Sequence, residues 1–202
     1  MNTREMDQLI NHFNHYFKQS EEGVLHSDEM KDPHIDLVLY RPNDSYPFWK
    51  LVTMGASDYR MPKFSPSLGN RNEYMLFIPA EEDLGDRTTL GWYASTLVDI
   101  AVYPYASKTH ITYGHSVEWG ENDESDMVGA FLEMPQVVAD VGILRCKLGL
   151  FKQAICLQAK LLTRSEMQKL LQIGPQEFSS YLYPEDDSPQ HFLSTRYKAQ
   201  QI

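Results

Sequence analysis

The run from Phe48 to Pro62, FWKLVTMGASDYRMP, constrains this chain more than any other stretch. Its first seven residues are aromatic, β-branched or apolar apart from Lys50, which is the composition of a strand. Gly55 breaks the run and can supply the positive φ of a sharp turn. Ala56, Ser57 and Asp58 are small or turn-forming, with Asp58 expected to cap its own turn. Pro62 biases Met61 towards an extended backbone. A buried strand therefore delivers a compact polar loop to a sheet edge, where it is either a binding site or a structural turn.

The flanking sequence predicts what surrounds that strand. Residues 2–18 read as a helix capped by Asn2 or Thr3, with Met6, Leu9, Ile10, Phe13, Tyr16 and Phe17 on one stripe. Residues 19–33 are polar. Ile35, Leu37 and Leu39 alternate with their neighbours as in a strand, and Tyr74–Ile78 is a third strand after a loop at 63–72. Three strands without intervening helices predict antiparallel pairing. A helix over about 88–103 carries Leu90, Tyr93, Ala94, Leu97, Ile100 and Ala101 on its apolar face and ends at Pro104. Thr109–Tyr113 and Val128–Met134 have strand character, and 141–148 with 151–161 form a hairpin around Gly149. Thr163 and Glu166 form a capping box into a helix that stops at Gly174, and Pro175 opens a short further turn. The tail, 184–202, is polar and reads as mobile. The expected class is α+β, a mixed or mainly antiparallel sheet covered by helices in one domain.

Composition narrows the function classes. The 202 residues, 42% hydrophobic and 12% aromatic, suit one globular core. No apolar run is long enough to span a membrane, and the first residues carry acids without an apolar signal region. A net charge of −10 argues against nucleic-acid binding, which needs a basic surface. Cys146 and Cys156 are expected on different sides of their hairpin, as free thiols of a reducing, cytoplasmic compartment.

Motif chemistry nominates no reaction. Ser57, Asp58 and His115 have the residue types of a hydrolase triad, but Tyr59 stands where a nucleophile elbow has its last glycine. His12 and His15 lack further metal ligands nearby, and His110 and His115, five apart on one predicted strand, would face opposite ways. No cofactor motif and no metal site is expected. The most distinctive surface stretch is EWGENDESD, with Glu118, Glu121, Asp123, Glu124 and Asp126 around Trp119. It is either a solvated loop or an interaction loop, in which carboxylates steer a basic partner and Trp119 anchors it.

The Leu51, Thr53, Gly55, Ser57, Asp58 and Met61 pattern resembles the signature of the suppressor-of-fused-like family. Further blocks fit it: HIDLVLY followed by RPNDSYPFW, the strand RNEYMLFIP, the later HITYGHSV and the LLTRSEM helix entry, together spanning about 34–182. The resemblance implies a non-enzymatic binding module. Short members of the family resemble immunity proteins that neutralise secreted toxins, often nucleases. A cognate, basic protein toxin is then the expected partner, with Glu118–Asp126 and then Ser57 and Asp58 as candidate contacts. A regulatory adaptor and, less favoured, a Ser/His hydrolase are the alternatives.

Overall fold

The computed structural model describes residues 1–26, 33–62, 67–183 and 189–197. Strands β1 (Gly23–Leu25), β2 (Asp36–Tyr40), β3 (Phe48–Met54) and β4 (Asn72–Pro79) form an antiparallel meander. After β5 (Ser116–Glu118), β6 (Met127–Glu133) and β7 (Arg145–Lys147), the long β8 (Gln153–Thr163) returns to the centre. It pairs in parallel with β4 and antiparallel with β6 and β7. The order β1-β2-β3-β4-β8-β6-β5, with β7 also on β8, is the mixed, mainly antiparallel sheet of an α+β fold.

The sheet is apolar on both faces, so both must be covered. On β2, Leu37 and Leu39 enter one core while Val38 and Tyr40 enter another. The first face carries α2 (Arg87–Ala106), which packs Tyr93, Leu97 and Ile100 against Leu51, Leu76 and Leu157. The second carries α1 (Thr3–Phe17), where Leu9, Phe13 and Phe17 meet Val52 and Phe77. Further along this face, α3 (Arg164–Ile173) and α4 (Pro175–Leu182) bury Met167, Leu170 and Phe178 against Phe131 and Leu162. Asn2 with Glu5, and Thr163 with Glu166, form reciprocal caps that satisfy the first amides of α1 and α3.

Several sequence expectations are corrected. Gly23–Leu25, inside the stretch read as merely polar, adds to the sheet edge through Leu39, Val38 and Leu37; residues 27–32 of that stretch lie outside the described residues. Pro104 does not end α2, which runs to Ala106 because Ser107 N–H bonds the Tyr103 carbonyl and Thr109 N–H that of Pro104. Thr109–Tyr113 is not a strand; a turn at Tyr113–Gly114, with Gly114 at φ 81°, delays β5 to Ser116. The cysteines are both free and buried, but they share one core. The hairpin register pairs Cys146 with Ala154, and Cys156, two residues on, faces the same way.

The tail is also better placed than its polarity suggests. Pairing of β4 with β8 stops at Met75 and Gln158. Beyond that point Ser194 joins the two strands: its N–H donates to the Phe77 carbonyl at 2.7 Å, and its Oγ accepts the Leu161 N–H at 3.0 Å. Gln158 Nε2 donates to the Phe192 carbonyl at 2.6 Å, and Lys160 Nζ to that of Leu193. Residues 184–188 and 198–202 of the tail lie outside the described residues.

Candidate functional site

The loop after β3 is built around a buried carboxylate. Gly55 sits at φ 120°, and a Cβ there would stand 2.5 Å from the His34 carbonyl oxygen, so only glycine fits without strain. Ala56–Asp58 then form a single 3-10 turn. Glu73 on β4, fully buried, holds this turn. It accepts the Thr53 hydroxyl at 2.6 Å, the Gly55 N–H at 3.2 Å and the Ser57 N–H at 3.0 Å. Burial pushes the Glu73 carboxyl above its ordinary range, and the Thr53, Ser57 and Gly55 hydrogen bonds oppose that shift. The sequence signal for this residue is a lone acid inside an apolar strand, in the block NEYMLFIP.

Asp58 does not cap its own turn. Its carboxylate lies against the Met1 ammonium and Lys152 Nζ, which also reaches Glu5 at 3.1 Å. Burial raises the Asp58 carboxyl, but Lys152 and the N-terminal ammonium outweigh it and hold it below its usual range. Arg71 Nη1 donates to the carbonyls of Ser57 and Asp58, each at 2.8 Å. Ser57 itself is fully buried, so its side chain offers a partner nothing; the accessible surface of this loop belongs to Asp58.

The triad residue types are not assembled as a triad. The Ser57 hydroxyl is enclosed, Asp58 is engaged by cations, and His115 Nδ1 lies 3.2 Å from the Thr112 carbonyl. His110 and His115 do not face opposite ways: the Tyr113–Gly114 turn brings their rings edge to face with centroids 6.1 Å apart. His12 contacts the Ile143 carbonyl at 2.8 Å as a packing residue. Among the described residues no group of three or more His, Cys, Asp or Glu is placed to hold a metal ion. No helix among them is long and apolar enough to cross a membrane.

The acidic stretch leaves the outer strand, β5, and returns as β6. Arg164 at the start of α3 binds Glu118 and, at 3.1 Å, Glu121, so two of the five carboxylates are neutralised from outside the stretch. The carboxylates of Asp123 and Glu124 have no partner among the described residues. Trp119 is 38% exposed, and its Nε1 donates to the Met127 carbonyl at 3.0 Å, which fixes the ring's orientation. With Trp92 and Asp99 of α2, and with Glu124, it lines a cleft. Arg196 lies beside it: its guanidinium stands 5.5 Å from the Trp92 ring centroid and its Nε donates to the Glu124 carbonyl at 2.7 Å.

The model of the suppressor of fused protein family matches residues 31–190. The chain belongs to the suppressor of fused family. No curated protein matches it. Among solved structures, the fold is similar to a putative suppressor of fused homolog from Neisseria gonorrhoeae, with TM-score 0.69 and 12% identity over 100% of this chain and 98% of that one. It is equally similar to a chain of the Sufu–Fu complex, with TM-score 0.69 and 13% identity over 98% of this chain and 91% of the other. Drosophila Suppressor of Fused matches with TM-score 0.66 and 13% identity, over 96% of this chain and 50% of that protein. At these identities the likeness establishes a shared suppressor of fused fold.

Proposed function

We propose that this protein is a non-enzymatic protein-binding module, acting in the cytoplasm as an immunity protein against a basic protein toxin. The supporting observation is the acidic, aromatic cleft beside β5, where the chain's own Arg196 rests on Trp92 and bonds the Glu124 backbone. A surface that holds a guanidinium by ring and carbonyl suits an arginine-rich partner. Asp123 and Glu124 supply the local field that speeds encounter, screened over about 8 Å at physiological salt. Trp119 supplies affinity, since burying an aromatic anchor is often worth ~2 kcal/mol or more.

The test is binding and protection against the product of the neighbouring gene. Charge reversal at Glu121, Asp123 and Glu124 is expected to lower the on-rate and flatten its salt dependence, while Trp119→Ala raises the off-rate. Variants that bind and protect cells like wild type would remove this cleft from the interface, leaving the surface around Asp58 as the next candidate. A second reading is a regulatory adaptor that sequesters another protein, favoured by the relative seen in the Sufu–Fu complex. Tight binding of a cellular protein without protection from any toxin would select it.

A further inference from the structure

A second site lies beside the signature loop, and its charge is opposite to that of the acidic cleft. Arg60, Arg71 and Arg145 line one cavity of about 340 Å³, with Asn70, Phe151 and Gln153 among the rest of its lining. Arg60 follows the 3-10 turn, Arg71 immediately precedes β4, and Arg145 opens β7, so three separate segments bring guanidinium groups together. No carboxylate is among the described lining residues. Asp58, whose carbonyl Arg71 holds, has its carboxylate engaged by the N-terminal ammonium and Lys152.

The fold explains only part of this convergence. Arg71 ties down the signature turn, and Arg145 Nη2 donates to the Ser67 carbonyl. Arg60 makes no hydrogen bond or ion pair among the described residues. In a chain of net charge −10, gathering three like charges around one cavity is unfavourable until an anion enters. Guanidinium groups are planar forks that match oxyanions two bonds at a time. Beside them Phe151, at the tip of the β7–β8 hairpin, is fully exposed at 101% and Leu150 at 94%. A large aromatic held in water at the rim of a basic cavity fits a ligand whose apolar part lies over it.

We infer that this cavity binds a small organic phosphate, a phosphate monoester carrying a flat or apolar group that packs on Phe151. Three guanidinium groups suit the three peripheral oxygens and double charge of a monoester better than the two oxygens of a carboxylate. The volume is at the small end of ligand pockets, which sets the size class.

Titration of the full chain with phenyl phosphate, inorganic phosphate and benzoate, at constant ionic strength, tests this by calorimetry and amide chemical shifts. Phenyl phosphate is expected to bind most tightly and to shift the amides of Arg60, Arg71 and the hairpin. Arg60→Ala with Arg145→Ala is expected to weaken it about tenfold or more, because each removes charge-assisted bonds from exposed positions. Phe151→Ala is expected to bring phenyl phosphate down to the affinity of inorganic phosphate while leaving the latter unchanged. Thermal melts of each variant separate lost binding from lost fold. Equal binding of benzoate and phenyl phosphate, shifts that map away from the three arginines, or affinity unchanged in the folded double variant overturns the inference.

Discussion

Glu133 gives the fold a measurable dependence on pH. It is fully buried on β6, receives the Tyr183 hydroxyl and, at 3.4 Å, that of Ser179, and faces Lys160. Desolvation outweighs those three favourable contacts and raises its carboxyl from 4.5 to about 7. Because the folded value lies above the unfolded one, the native state holds a proton that the unfolded chain has released between these limits. Stability from this group is therefore complete below about pH 4.5, falls as pH rises, and is fully lost above about 7. The gap corresponds to about 3 kcal/mol in total, of which roughly 2–3 kcal/mol falls between pH 5 and pH 8. Glu133→Gln keeps an acceptor for Tyr183 and a polar group for Ser179 but cannot ionise. We predict that urea midpoints of the variant gain on wild type as pH rises, by that amount over this range. Parallel stability curves for the two proteins from pH 5 to pH 8 would refute the reasoning.

Two further predictions concern the signature loop. Glu73→Ala leaves the Thr53 hydroxyl and the Gly55 and Ser57 N–H groups without their acceptor in a buried site, and is expected to cost about 3 kcal/mol or more in urea unfolding; a loss below about 1 kcal/mol would show that water replaces the carboxylate. Gly55→Val meets both the positive φ and the His34 carbonyl, and is expected to cost at least about 1–3 kcal/mol; an unchanged denaturant midpoint would count against it.

What can be read from the sequence is local. The caps at Asn2 and Thr163, the stop at Gly174, the stripe of α1 and the glycine at 55 are each written within a few residues. The caps and the stop need no distant partner, and the positive φ at Gly55 and the helical spacing of the α1 stripe are legible before their distant neighbours, the His34 carbonyl and the sheet, are known. The acid that organises the loop is hidden because Glu73 lies 16 residues beyond Ser57 along the chain, and only β3–β4 pairing returns it to the turn. Asp58 reads as a turn cap because its partners Met1 and Lys152 arrive from far along the chain on either side. The same holds for Arg164, which answers the acidic stretch from α3, and for Ser194, which closes the sheet from the tail. The surroundings of Glu133 and the arginine cavity are invisible in the sequence for this reason too: α4 and its C-cap carry Ser179 and Tyr183 back to Glu133, and Arg145 reaches the other two arginines because β7 and β4 both pair with β8.

The central position of β8 also sets an order of events during synthesis. The β1–β4 meander can pair as soon as it emerges, since its contacts are between consecutive strands. The outer side of β4 then waits: Asn72 meets Ile155 only after α2, β5, β6 and β7 have been made, and the Phe77 carbonyl waits longer still for Ser194. Through that interval a strand with Tyr74, Met75, Leu76, Phe77 and Ile78 in sequence presents unpaired amides, the form of edge that recruits other chains. Slowing the ribosome between the end of β4 and residue 153 therefore prolongs the time this edge stands open, whereas slowing it within the first meander does not.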